Sequence, residues 1–289
     1  MSFASAQFLC FFAVLFVLYY LIPRRHQWKL LLIGSLFFYY FAGWYCLIYI
    51  GVTTVTTYLA ARKVGDLQRE QDAWLKEHRS ELDKEQRKAY KAAGKKLRWR
   101  WTLACLLLNF GILAVVKYTD FVLSNVNGVL AAAGSAAQLP MADLILPMGI
   151  SFYTFQSMGY LIDVYWGKYP PERSLGRFAL FVTFFPQLIQ GPISRYNDLS
   201  QTLYAEHRWD SRQIAMGAQR ALWGLAKKLI VADRLAIPLR ELVSDPEQYA
   251  GLWVAVVIFL YAVQLYADFT GGIDITIGVA QMLGVKVTE

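Results

Sequence analysis

The stretch LLLIGSLFFYYFAGWYCLIYIGVTTVTTYLAA, residues 30–61, carries no charged side chain. As a single helix it would be about 48 Å long at 1.5 Å per residue. A bilayer core is only about 30 Å thick and is crossed by about 20 apolar residues. The run is therefore read as a hairpin of two spans, about 28–42 and 44–61, with Gly43 and Trp44 at the turn and at the outer interface. Residues 3–22 are also uncharged and form an earlier span, about 6–22. The positive charges Arg24, Arg25 and Lys29 follow that first run. A cleavable signal peptide has its positive charge before the apolar stretch, so a retained span with its N-terminus outside the cytoplasm is expected.

Composition agrees. Of 289 residues, 56% are hydrophobic and 17% are charged, against about 25% charged in soluble domains. The mean hydropathy is +0.33. These values predict an all-α integral membrane protein with several spans. The net charge of +8 does not point to nucleic acid, because most of it lies in residues 62–100, where thirteen Lys/Arg face seven Asp/Glu. By the positive-inside rule this is the cytoplasmic loop, and acidic lipid headgroups are its default partner. Glu and Lys recur there at helical spacing, which predicts a solvated helix or helix pair. Arg98-Trp99-Arg100-Trp101 reads as an interfacial anchor. A fourth span, about 102–121, and a neutral outer loop, 124–143, follow. Cys10, Cys46 and Cys105 lie in apolar spans without metal-ligand spacing and are read as small apolar residues.

After residue 144 the apolar segments become short and interrupted. Pro147, Gly149, Asp163, Pro186, Gly191 and Pro192 enter them, as do several amides and charges. Irregular backbone at membrane depth survives only where protein buries it or water fills a cavity, and ionisable groups there face cavities or pair with one another. Residues 144–289 are thus expected to line a polar chamber, with residues 1–61 and 101–143 as scaffold in one membrane domain.

Four constellations stand out. In "LPMGISFYTFQ" (146–156), Ser151, Tyr153, Thr154 and Gln156 suit either a polar lining or helix packing through small and hydroxyl residues. In "FPQLIQGPISR" (185–195), a helix is expected to end at Pro186, and the chain to re-enter through Gly191-Pro192. Gln187, Gln190 and Arg195 would then point inward; a plain interfacial loop is the alternative. In "AKKLIVADR" (226–234), Lys227 and Arg234 share a helix face, as in an interfacial helix. In "YADFTGGIDITIG" (266–278), Asp268 and Asp274 flank a Gly-Gly pair that reads as a helix break. Two carboxylates there suit a substrate or ion site, or a capping aspartate at a helix start. No histidine lies in an apolar segment: His26, His78 and His207 all sit in polar stretches.

Together these segments resemble the membrane-bound O-acyltransferase family, in its bacterial branch of alginate O-acetyltransferase membrane proteins and D-alanyl transfer proteins of lipoteichoic acid synthesis. The likeness is carried in order by LPMGISFYTFQSMGYLIDVY (146–165), FFPQLIQGPISRY (184–196), GLAKKLIVADRL (224–235) and QLYADFTGGIDITIGVAQMLG (264–284). It implies a ring of broken and re-entrant helices around a tunnel, in a bacterial inner membrane. An acyl group, such as acetyl, would come from a cytoplasmic donor, acetyl-CoA or an acylated carrier protein. Hydroxyls of an envelope or exported polysaccharide would accept it from the other side, where a secreted acetyltransferase partner could also bind. No bound cofactor or metal is implied. The family's reactive histidine is expected beyond Glu289, so the chain reads as part of a longer enzyme, without a catalytic residue of its own. Tyr153, Gln156, Gln187, Gln190, Arg195, Asp268 and Asp274 are the candidates to line or support the chamber. Lys227 and Lys228 would attract an anionic donor by charge. Residues 62–100 are longer and more charged than in alginate-type members. A transporter or channel is the rival from another class, since broken helices and intramembrane acids suit it too; a non-catalytic scaffold is a third.

Overall fold

The computed structural model describes residues 5–135, 137–244 and 251–288, with the backbone alone for Ile189. Every regular element among them is helical. In order they are α1 (Ala6–Leu21), α2 (Gln27–Ala42), α3 (Trp44–Glu77), α4 (Lys84–Ala132), α5 (Ile150–Tyr165) and α6 (Leu175–Thr183). Then come α7 (Phe185–Gln190), α8 (Tyr196–Leu203), α9 (Ser211–Ala226), a π-helical segment (Lys227–Ala232), α10 (Asp233–Ser244) and α11 (Leu252–Met282). The helices α3, α4 and α11 are each long and apolar enough to cross a bilayer. The chain is an all-α membrane protein.

The described residues form two compact units, residues 43–182 and residues 1–42 with 183–289. Gly43 opens the first of them at φ +141°, a conformation that a side chain would strain. In this unit α3, α4 and α5 pack on one another. Their contact is joined by polar groups as well as apolar ones. The Asn109 amide donates to Thr56 Oγ1 at 3.1 Å and to the Cys105 carbonyl at 3.0 Å. Such side-chain bonds hold membrane helices together where hydrophobicity gives no preference for helix over lipid. Cys46 and Cys105 are buried here as free thiols.

The charged segment 62–100 is a helix pair, as expected, and its two arms are continuous with the apolar helices. α3 continues past the apolar run to Glu77, and α4 runs from Lys84 without a break to Ala132. Residues 62–77 contain no proline, and helix formers dominate them, so the helix persists after the hydrophobic pattern ends. Asp83 starts α4 with a capping box: its carboxylate accepts from the Lys84 amide, and the Gln86 side chain accepts from the Asp83 amide. At its far end α4 extends into the segment whose composition suggests an outer loop, because Val129 to Ala132 are still compatible with helix.

One buried amide braces the extension. Gln71 on α3 donates to the Tyr90 carbonyl at 2.7 Å and accepts from Arg98 at 2.5 Å, both on α4. Gly94 leaves the space that Gln71 occupies, since a Cβ there would lie 2.3 Å from its amide nitrogen. Trp74 stacks on Tyr90 at 4.2 Å and on His78 at 4.4 Å. Gln71→Leu removes both bonds and strands the Arg98 guanidinium. We expect a loss of about 1–3 kcal/mol at this site. Hydrogen exchange should become faster over residues 66–77 and 84–98 while the apolar parts of α3 and α4 keep their protection.

The second unit is built on aromatic and glycine contacts. Phe8, Phe11, Phe38 and Phe185 join α1, α2 and α7, with Phe11 and Phe185 edge to face at 5.4 Å. Gly34 on α2 gives room to Leu15 on α1. Gln27 pairs with the backbone of His207 in both directions, accepting from its N–H at 2.9 Å and donating to its carbonyl at 3.1 Å. Along α11, the π-helical segment, α7, α9 and α10 all pack.

Candidate functional site

The glycine-rich stretch that reads as a helix break is no break. α11 is continuous from Leu252 to Met282, and Asp274 lies well inside it rather than capping a helix. The glycines serve approach instead. Gly271 faces α9: a Cβ on it would lie 2.9 Å from the Gly224 carbonyl, and one on Gly224 would lie 2.5 Å from the Gly271 carbonyl. Gly217 and Gly278 meet in the same way one contact further along, at 2.7 and 2.5 Å to each other's carbonyls. Gly272 faces the other neighbour, leaving the space where the Gln190 amide of α7 sits. The adjacent glycines therefore admit two helices on two sides of α11.

This close packing sets the charged groups in register. Lys227 Nζ donates to Asp274 at 2.5 Å, and Arg220 Nε donates to the other carboxylate oxygen at 3.1 Å. Lys228 Nζ donates to Asp268 at 2.6 Å and lies 3.9 Å from Asp233. The two acids are six residues apart on α11, so their side chains diverge by about 120° around its axis, and the adjacent lysines reach one each. The lysines thus clasp α11 from two sides. They do so from a π-helical turn, which re-phases side chains along a helix and recurs at functional sites. Side chains of Asp274, Lys227 and Lys228 are 15%, 21% and 22% exposed. Arg220, Lys227 and Lys228 thus face three carboxylates, Asp274, Asp268 and, at 3.9 Å, Asp233.

The segment 185–195 starts a helix where the sequence suggested one ends. α6 stops at Thr183, and Pro186 lies in the first turn of α7, where its missing N–H costs nothing. Phe184 supplies no side-chain cap; Ser35 Oγ of α2 accepts from the Phe185 N–H at 3.3 Å instead. Gln187 is 4% exposed and donates to Ser194 Oγ at 2.6 Å, which ties α7 to the extended chain that follows. Its Oε1 is buried without a hydrogen-bond partner among the described residues. Thr276 of α11 is fully buried and its hydroxyl lies 2.9 Å from the carbonyls of both Pro186 and Gln190. Gln190 is half-buried, while Arg195, expected to point inward, is exposed at the start of α8.

Tyr153 and Gln156 belong to the other compact unit. Both are buried on α5, where Gln156 donates to the Phe181 carbonyl at 3.1 Å. Gln187, Gln190, Asp268, Asp274, Lys227 and Lys228 are brought together around α11. Arg220 and Thr276 join them and were not singled out in the sequence. A signal existed for Arg220, since it lies seven residues before Lys227 and so shares its helix face. None existed for Thr276, whose partners are backbone carbonyls distant in the chain. Of the histidines, His26 is in a turn before α2, His78 follows the last turn of α3, and His207 Nε2 bonds the Thr202 carbonyl.

These features define a class: an all-α membrane protein whose helix core is threaded with paired charges and buried amides. No family model matches the chain. Curated proteins do. Over its whole length it is 35% identical to the "Probable alginate O-acetylase AlgI" of Pseudomonas syringae pv. tomato, of which it covers 51%, and 33% identical to that of Azotobacter vinelandii, of which it covers 53%. Over 65% of its length it is 30% identical to the peptidoglycan O-acetyltransferase of Helicobacter pylori, covering 40% of that protein. Over its whole length the chain is similar to these curated alginate O-acetylases, of the family its motifs resemble, and it spans about half the length of the curated relatives it matches.

Proposed function

We propose that the protein is a membrane O-acyltransferase that moves an acyl group, acetyl in the first instance, from a cytoplasmic donor to hydroxyls of an envelope or exported polysaccharide. The observation that carries this reading is the similarity of the whole chain to alginate O-acetylases, which includes α7, α9 and α11. The resemblance to peptidoglycan and teichoic acid acyltransferases supports an envelope polymer as acceptor. The basic stretches 24–29 and 62–100 support a bacterial inner-membrane topology with the N-terminus outside. Acetyl-CoA or an acylated carrier protein is the donor, and a secreted partner can receive the product side.

In this reading the chain's own residues position rather than react. Gln187, Gln190 and Thr276 hold the short α7 against α11, and Tyr153 and Gln156 stiffen α5. Asp268 and Asp274 fix Lys227 and Lys228 near the donor side, and Arg195 stands at the exposed start of α8. None of His26, His78 and His207 is assigned as general base: a ring nitrogen of His78 is engaged with the Trp74 carbonyl, one of His207 with the Thr202 carbonyl, and His26 lies in the basic turn before α2. The test is the ester-linked acetyl content of envelope polysaccharide in the source bacterium with and without the gene, together with label transfer from acetyl-CoA in isolated membranes. Loss of acetyl esters on deletion is expected, with recovery on complementation. Unchanged ester content would overturn the acyltransferase reading in favour of a transporter or scaffold.

A further inference from the structure

The braced extension of α3 and α4 carries a feature that the acyltransferase reading does not use. Lys84, Lys88, Lys91 and Lys95 follow one another at spacings of four, three and four on α4. At 100° per residue they fall within an arc of about 60°, a ridge about 17 Å long. All four are exposed, and none is ion-paired among the described residues. Lysines at i, i+4 repel one another, so the ridge is a destabilising arrangement unless something acidic covers it.

Lipid is out of reach for most of it. The apolar part of α4 begins near Thr102, with the exposed Trp99 and Trp101 at headgroup depth. Because α4 is unbroken, Lys91, Lys88 and Lys84 stand about 15, 20 and 26 Å along the helix from Trp101. The Debye length in physiological salt is about 8 Å, so only Lys95 feels the headgroups strongly. A wide polyanion fits poorly as well. Glu81, Asp83 and Glu85 flank the ridge, α3 adds Asp66, Glu70, Asp72 and Glu77, and the arginine beside the ridge, Arg87, has its guanidinium engaged by the Arg79 carbonyl. A narrow acidic face fits best.

We propose that this ridge is a docking surface for a soluble protein that presents Glu or Asp along one helix at matching four-three-four spacing. The Gln71 brace and the Trp74 stack hold the arm rigid, so little conformational freedom is lost on binding. The proposal concerns binding alone and does not depend on which group the protein transfers.

The probe is an alanine-based peptide with glutamates at that spacing, compared with an isomer of equal charge whose glutamates are spread around the helix. With the protein in phosphatidylcholine nanodiscs, the striped peptide is expected to bind about tenfold more tightly than the isomer, the sum of four exposed ion pairs. Lys84→Gln, Lys88→Gln, Lys91→Gln and Lys95→Gln together should abolish that preference; Gln matches Lys in helix propensity, and unchanged helicity checks the fold. Arg69→Gln, Lys76→Gln, Lys96→Gln and Arg100→Gln, which remove as much charge, should preserve it. Equal binding of the two peptides, equal loss in the second variant, or equally tight binding of oligothymidylate of the same charge would each overturn the proposal. So would loss of peptide binding when phosphatidylserine is added to the nanodisc.

Discussion

Replacing Gly224 by leucine should separate α9 from α11 and unfold this part of the protein first. The atoms that a Cβ would meet are the Gly271 carbonyl at 2.5 Å and the Ile275 backbone nitrogen at 2.8 Å. Backbone inside two packed helices cannot rotate aside as a side chain would, so the helices themselves must move apart. Overpacking usually costs about 1–3 kcal/mol, and here the displacement also pulls Lys227 and Lys228 from their acids. A loss of about 3 kcal/mol or more is expected, which lowers the melting temperature by roughly 6–12 °C at this chain size. Gly111→Leu is the control: it lies in an apolar span with nothing within 4 Å of its added Cβ. The check is thermal melting of both variants in detergent. Equal melting points would mean that the α9–α11 contact does not depend on close backbone approach.

Asp274→Asn should have the second large effect. Asp274 is the shared partner of Arg220 and Lys227, and the three side chains are 15%, 30% and 21% exposed. Removing one partner of a buried pair typically costs about 3–5 kcal/mol because a charge is left uncompensated. Partial solvent access reduces that here to about 2–3 kcal/mol. The asparagine keeps the shape, so the loss reports charge rather than packing. Adding Arg220→Gln and Lys227→Gln to Asp274→Asn removes the stranded cations and should recover part of the stability, a coupling that independent sites would not show. Melting temperatures of the single and triple variants provide the measurement. A triple variant less stable than Asp274→Asn would show that the cations are stabilised by something other than this carboxylate.

Both effects involve residues that the sequence already marks, together with Gly224 and Arg220, which it does not. The Gly-Gly pair and the two aspartates are conspicuous in an apolar stretch, and so are the adjacent lysines. What they do is not legible there. A Gly-Gly pair has low helix propensity, which favours reading a break; in the fold, contacts on both sides of α11 outweigh that cost and the helix continues. Asp274 has the residue type of a helix cap, but its cation partners are 47 and 54 positions away. Pro186 fits a helix end or a helix start equally well, and partners distant in the chain favour the start: Ser35 of α2 accepts from Phe185, and Thr276 of α11 bonds the Pro186 carbonyl. Arg195 had the right chemistry for a chamber wall and lies exposed.

The sequence by itself determined that the chain is an all-α membrane protein and which residues break its apolar pattern. Those properties follow from local hydrophobicity, because a bilayer selects helices residue by residue through the cost of unsatisfied backbone groups. Four ordered motifs were also enough to suggest a family resemblance, and the whole chain is similar to about half the length of the alginate O-acetylases it matches. Tertiary structure alone decided the pairing of Lys227 with Asp274 and Lys228 with Asp268, the continuity of α11, and the long arm formed by α3 and α4. Each depends on atoms brought together from distant parts of the chain or on a helix persisting beyond its apolar stretch. Side-chain periodicity records which face of a helix is buried, and it carries no record of what that face is buried against.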